Sequence, residues 1–325
     1  MGLNDFCYRI GTLYVLTARH ENCPEMQKHH YYLMLRINEY QVDLAIIANG
    51  SQAKIARAFN TVTNETLAVK IYSLKDRPSL LCFENEARLL HQLRTIPEVI
   101  EARSCFSHKQ FGFLVMDLHK HDLLTAIMRE NGLGELMALY YFKQICEGVQ
   151  QCHSRNVAHL DLKPENILLD ENEQRVRICD FGNAYQFQNH NEAVHIGRRG
   201  TLVYCAPEMK RTGTFNPVDA DVWSLGILLH VMAVGYFPHA QSEQAIHQYH
   251  EGVVDLSFIS GQCSSSFVNL LSMILDPENR PNITSILTHP IFNQLNTTES
   301  SSRRASTALI THKLSGMFNL RKSKA

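Results

Sequence analysis

At 325 residues, with 45% hydrophobic and 19% charged side chains and a formal net charge of −1, the chain is long enough for one large domain or two lobes around a substantial core. The near-neutral balance argues against a whole-surface nucleic-acid or membrane binder, which carries a basic excess. Nine scattered cysteines, with no pair at two-residue spacing, offer neither a zinc ribbon nor a redox motif and fit a reduced, cytoplasmic compartment.

Residues 1–40 show no clear period and read as an N-terminal extension. The apolar run 10–18 follows Arg9, but Asp5 precedes it and Thr12 and Thr17 interrupt it, so it reads as a strand or loose extension rather than a signal peptide. Phe6 stands where myristoylation of Gly2 requires Ser or Thr, so no lipid anchor is supported. From Tyr40 the pattern changes. "VDLAIIANGSQAKIARAF" predicts a strand, a turn at Asn49-Gly50 and a second strand; "TLAVKIYSL" predicts a third. Leu81, Leu89, Leu90 and Leu93, interspersed with Glu84, Glu86 and Arg88, predict a helix with one face against that sheet. "FGFLVMDL" adds a strand.

Beyond residue 122 the chain turns helical. Leu136, Leu139, Phe142, Ile145, Cys146 and Val149 recur at three-to-four spacing, predicting a long amphipathic helix that ends near His153. The stretch 222–237 is apolar, but its 16 residues with His230 inside fall short of a bilayer span, so a buried central helix and no transmembrane segment are expected. Further helices are predicted over 242–251, 265–275 and 283–288. A sheet-rich half followed by a helix-rich half implies two lobes with a cleft between them. From Asn296 onward the chain is Ser/Thr-rich and basic, a composition that reads as disordered. Residues 303–325 hold six Lys/Arg and no Asp/Glu, leaving an acidic body that the tail, or an anionic partner of the tail, could engage.

Charged residues set among apolar ones carry the chemistry. Phosphoryl transfer from ATP needs a cation on the phosphates, divalent metal held by carboxylate and amide oxygens, and a carboxylate to accept the incoming hydroxyl's proton. Lys70 stands alone in the apolar strand "LAVKIY", and Glu86 on the next helix is a partner that could aim it. "NVAHLDLKPENILLD" then places Asp161, Lys163 and Asn166 close together, and "RICDFGN" places Asp180 before a turn at Gly182. Each residue alone is more often structural; their joint order reverses that reading. His159 reads as a buried structural residue beside this stretch, and Cys179 as a small core residue.

On these motifs the chain resembles the eukaryotic protein-kinase family over residues 41–292. The resemblance implies an α+β, two-lobed fold: a small antiparallel-sheet N-lobe over 41–117 with one main helix, a larger helical C-lobe over 122–292, and a tail over 293–325. It implies ATP and Mg²⁺, with Mn²⁺ as an alternative ion, and Ser/Thr-bearing protein substrates. Lys70 would hold the α- and β-phosphates with Glu86 as its helix partner, Asp161 would be the catalytic carboxylate, and Lys163 would contact the γ-phosphate. Asn166 and Asp180 match the metal ligands. Ala48, Gly50, Ile55, Ala68, Met116, Asp117, Leu118, His119, Leu168 and Cys179 would line the nucleotide pocket, with Asp122 on the ribose. Glu208 would pair with Arg280, and Asp221 would steady the backbone around Asp161.

Lys163 together with "GTLVYCAPE" is the Ser/Thr-kinase form of the pattern, and the C-terminal layout is similar to the calcium/calmodulin-dependent and AMP-activated kinases. Asp122 and Glu165 favour basic targets. Three features depart from the pattern. Of the phosphate-loop glycines only Gly50 is kept, with alanines at positions 48 and 53. Leu160 replaces an arginine that would gather a phosphate on the activation segment, and between Asp180 and Glu208 the only Ser or Thr is Thr201. "RRAS" at 303–306 resembles a basophilic kinase target at Ser306. The alternative to an active enzyme is a pseudokinase serving as an ATP-binding signalling scaffold.

Overall fold

The computed structural model describes residues 34–49, 52–197, 199–211, 213–238 and 253–295. Gly50, the run 242–251, Ser306 and the tail from 296 lie outside the described residues.

A six-stranded antiparallel sheet opens the described part of the chain, in the order β1-β2-β3-β4-β6-β5. Its strands are β1 (Met34–Ile37), β2 (Tyr40–Asn49), β3 (Ala53–Asn60), β4 (Thr66–Ser73), β5 (Ala102–His108) and β6 (Phe111–Asp117). Strand β1 lies in the stretch that lacked a period. It is only four residues long, and it pairs with β2 across a turn at Asn38, whose φ of 52° suits a tight hairpin. Alternation along β4 sends Leu67, Val69 and Ile71 to one face and Ala68, Lys70 and Tyr72 to the other. On the first face Phe106 stacks on both Tyr40 and Phe113, with centroids 5.9 and 5.3 Å apart.

The second face receives helix α1 (Arg77–Leu93), whose first turn is capped by Asp76 accepting the Ser79 N–H at 2.9 Å. Its buried side carries Phe83, Leu89, Leu90 and Leu93, each worth about 1.5–3 kcal/mol on removal from water, and among them Glu86. A carboxylate on the apolar face of a helix needs a partner of opposite charge.

After β6 come β7 (His121–Asp122), α2 (Leu123–Glu130) and α3 (Gly134–Ser154), then β8 (Val157–Ala158), β9 (Ile167–Leu169), β10 (Val176–Ile178) and β11 (Tyr185–Gln186). Among the described residues the regular elements after β11 are helical: α4 (Pro207–Arg211), α5 (Pro217–Val234), α6 (Ser265–Ile274) and α7 (Ile283–Leu287). Helix α5 begins earlier than its apolar run because Asn216 caps it, accepting the Val218 N–H at 2.8 Å, and Pro217 opens it. It stops at Gly235, whose φ of 82° is left-handed and whose Cα lies against the Gly132 backbone. By length and composition α5 could cross a membrane, but 89% of it is buried inside the protein, as the core of the helical half. The short strands β7, β9 and β10 form a separate three-stranded sheet in the order β10-β9-β7, and Asp161, Lys163 and Asn166 lie between β8 and β9.

Candidate active site

Period-two alternation aims Lys70 off β4 toward α1, where its ammonium lies 2.8 and 3.1 Å from the two Glu86 oxygens. The same nitrogen lies 2.7 Å from Asp180 Oδ1, so one cation joins the sheet, the helix and the turn after β10. Burial opposes the Lys70 ammonium, yet the Glu86 and Asp180 carboxylates outweigh it and raise its pKa well above the usual value. Burial likewise pushes Asp180 toward protonation, and the Lys70 charge reverses that, holding the carboxyl below its ordinary range. Asp180 keeps 39% of its side-chain surface open to the cleft. Its φ of 64° is a strained conformation that turns the chain sharply into Phe181 and Gly182.

Asp161 follows β8 and is 6% exposed. Its Oδ1 accepts from the Thr201 N–H at 2.9 Å and the Thr201 hydroxyl at 2.8 Å. Around Oδ2 stand Lys163 Nζ at 3.2 Å, Asn183 Nδ2 at 3.3 Å and Asn166 Nδ2 at 3.4 Å. The Asn166 amide also donates to the Asp161 carbonyl at 2.8 Å, which turns its own oxygen the other way. Lys163 in turn donates to the Thr201 hydroxyl at 2.7 Å.

The backbone that holds Asp161 is itself held. Asp221, wholly buried on α5, accepts from the N–H groups of His159 and Leu160 and from His153 Nε2, each at 2.8 Å. His159 accepts the Asp161 N–H on Nδ1 at 3.2 Å, so its Nε2 donates to the Cys179 carbonyl at 2.9 Å. Phe181 meets its ring edge-on at 4.8 Å. This is the structural role that the sequence suggested. Cys179 is half-buried, and burial with the adjacent Asp180 charge raises its thiol far above the ordinary value, so it is a protonated packing residue at neutral pH.

Leu160 is 4% exposed and sits at φ 60°. Its carbonyl oxygen would lie 2.2 Å from a Cβ at Gly200, so only glycine lets the segment before Thr201 approach the Asp161 loop this closely. The start of that segment is tied down by Arg199, which donates to the Asn183 and Ala184 carbonyls at 3.1 and 3.4 Å. Farther on, Glu208 pairs with Arg280, one contact lying at 2.8 Å, and the guanidinium packs 4.9 Å from the Trp223 ring.

Ala68 and Met116 are buried in the main core, with Ile55, Leu118, Leu168 and Cys179 packed against the same cluster. Ladder pairing sets Ala68 beside Met116 and Ile55 beside Lys70. Asp117 turns its carboxylate to Arg103 at 2.8 Å, leaving its backbone for any hinge contact. His119 Nδ1 meets the Leu169 carbonyl at 3.0 Å. Asp122 caps α2, accepting the Thr125 N–H at 2.7 Å and its hydroxyl at 3.0 Å. Ala48 is exposed on β2, whereas Ala53 is buried on β3. Among the described residues no group of three His, Cys, Asp or Glu could hold a metal ion, so an ion here would take oxygens from Asp180 and Asn166 and the remainder from phosphates and water.

Sequence reasoning missed Asn183 and Tyr72. Asn183 follows Gly182 in a turn with no period, so nothing announced that its amide reaches Asp161. Tyr72 shares a strand face with Lys70, and that spacing was the available signal; its hydroxyl donates to Glu86.

A protein kinase domain model matches residues 42–292. The chain is 33% identical over 210 residues to CBL-interacting serine/threonine-protein kinase 9 of Arabidopsis thaliana, covering 62% of this chain and 46% of that one. It is 30% identical over 284 residues to CBL-interacting protein kinase 16 of Oryza sativa subsp. japonica, covering 85% and 60% respectively. Similarity to CBL-interacting serine/threonine-protein kinase 5 of Arabidopsis thaliana is 30% over 254 residues, 75% of this chain and 56% of the other. The chain thus spans about half the length of the curated relatives it matches.

Proposed function

This chain belongs to the protein kinase family, and from that premise we propose that it transfers the γ-phosphoryl group of ATP to serine and threonine hydroxyls of proteins. The observation that carries the reading is the convergence of Lys70, Asp161, Lys163, Asn166 and Asp180 on one cleft. The family works with ATP and a divalent metal. Mg²⁺ is the ion proposed here, because one carboxylate and one amide oxygen supply too few donors for a self-sufficient protein site and suit an ion that keeps phosphate and water ligands. When bound, the ion would neutralise charge on the phosphates.

The protein's own groups do the rest. Lys70 supplies positive charge to the phosphates and is kept aimed by Glu86. Asp161 accepts the proton of the incoming hydroxyl, a task for which its donors at Thr201, Lys163 and Asn183 fix both oxygens. Lys163 places a cation beside the transferring group.

The scaffold reading drawn from Ala48, Ala53 and Leu160 explains less, since a scaffold has no use for the carboxylate base and both metal ligands together. Incubating the full chain with radiolabelled ATP, Mg²⁺ and a basic protein acceptor should give acid-stable phosphoserine or phosphothreonine. Nucleotide binding without transfer would favour the scaffold.

The reading extends to activation. Leu160 has no donor for a phosphate, while Gly200, Thr201 and Arg199 already dock the segment through close packing and hydrogen bonds. Activity should therefore survive complete phosphatase treatment with a change of less than roughly twofold; loss of activity, restored by rephosphorylation, would contradict this. Alanine at position 48 stiffens the loop over the phosphates, and Ala48→Gly should lower the KM for ATP roughly two- to fivefold, measured by initial rates. An unchanged KM would mean that the loop does not limit ATP binding.

The C-terminal layout supports a place near the calcium/calmodulin-dependent and AMP-activated kinases. Exposed Glu165 supports basic targets, and the scattered cysteines support a cytoplasmic location. The domain limits proposed are 41–292, followed by a basic tail whose charge suits its own acidic body or an anionic partner as alternatives to a passive, solvated tail; deleting 296–325 without kinetic effect would remove autoinhibition from the account.

A further inference from the structure

Tyr72 stands apart from the transfer chemistry assigned above, yet it reaches the centre of it. It lies on β4 two residues after Lys70, so the two side chains share one face of the sheet. It is 0% exposed, and its hydroxyl donates to Glu86 Oε2, the same oxygen that lies 2.8 Å from Lys70 Nζ. Its ring packs against Phe83, one turn before Glu86 on α1, with centroids 5.5 Å apart, and Lys70 Nζ lies 5.4 Å from the ring centre.

Glu86 is 1% exposed, so its charge depends on protein donors alone. Lys70 is a divided donor. It also binds Asp180 at 2.7 Å, and during transfer it faces phosphates. Any turn of the ammonium toward the nucleotide weakens its hold on Glu86. The Tyr72 hydroxyl donates its one proton to Glu86, and a strand bonded on both sides fixes its position. Burial and the neighbouring Glu86 charge raise the phenol well above its usual value, so it remains a donor at neutral pH.

We propose that Tyr72 is a positioning residue, whose hydroxyl keeps Glu86 aimed at Lys70 and α1 seated on the sheet while Lys70 engages the nucleotide. The proposal rests on the kinase reading for its kinetic consequence but not for its structural one. On the far side of α1, Asn85 donates to the Ala184 carbonyl at 3.0 Å and Arg88 to the Gln186 side chain, so the helix is anchored from two sides. Tyr72 supplies the anchor on the nucleotide side.

The test uses the full chain as wild type, Tyr72→Phe, Glu86→Gln and the double variant. Phenylalanine keeps the ring contacts and removes one charge-assisted hydrogen bond, so kcat should fall roughly tenfold while the KM for ATP moves less than about twofold. The double variant should be no slower than Glu86→Gln alone, because Tyr72 acts through Glu86. Hydrogen exchange over residues 77–93 should speed up in Tyr72→Phe and no further in the double variant. Unchanged kcat and exchange in Tyr72→Phe, or losses that add in the double variant, would overturn the proposal. A wild type without transfer activity would remove the kinase reading, and the exchange comparison would still decide whether Tyr72 tethers Glu86.

Discussion

Replacing Asp161 with asparagine should lower kcat by roughly 10²–10⁴-fold, the range expected for loss of a positioned general base. The substitution keeps one oxygen to accept from Thr201 and removes the charge and basicity of the other. The new amide would face Lys163, Asn166 and Asn183, all donors, on the side where Oδ2 now accepts. That mismatch should cost about 1–3 kcal/mol of stability, too little to unfold a domain with so extensive a core. A cooperative melt together with the loss of turnover assigns the effect to chemistry. Retained turnover would place the base elsewhere.

Asp221→Ala should have the largest effect on stability, about 3–5 kcal/mol, because it strips a wholly buried carboxylate from three donors at once. Two of those donors are the backbone N–H groups of His159 and Leu160, on a loop whose Leu160 φ of 60° is unfavourable for a residue with a β-carbon. Nothing in the van der Waals core replaces them; alanine leaves the N–H groups and His153 Nε2 without acceptors. The measurement is the urea midpoint at constant slope. Asp221→Asn, which retains one acceptor oxygen, should recover part of the loss. A midpoint shift equivalent to less than about 1 kcal/mol would show that the loop is held by packing alone.

The parts of the site most legible in the sequence were charges where packing wants none. Lys70 interrupts an apolar strand, Glu86 occupies the apolar face of a helix, and Asp161, Lys163 and Asn166 crowd between buried leucines and isoleucines; each pattern is costly without a function. The long helices were readable for the opposite reason, since α3 repeats its apolar positions over many turns and α5 is apolar on every side. Strands β1 and β5 were not. The first has four residues, and the second alternates weakly, with Phe106 as its main apolar anchor. Asn183 and Tyr72 act across the tertiary structure through single hydrogen bonds, and an amide in a turn or a hydroxyl in a strand carries no sign of which partner it will meet after folding.

That Lys70, Asp180 and the cluster of Asp161, Lys163 and Asn166 act on one nucleotide can be tested by titrating a non-hydrolysable ATP analogue into the full chain, with Mg²⁺ and with EDTA. Without the metal, the phosphates meet the Asp180 carboxylate, so Mg²⁺ should tighten binding of the wild type roughly tenfold or more, and Asp180→Asn should bring that ratio to about one. A wild type whose affinity ignores the metal, or an Asp180→Asn variant that keeps the full dependence, would contradict the account.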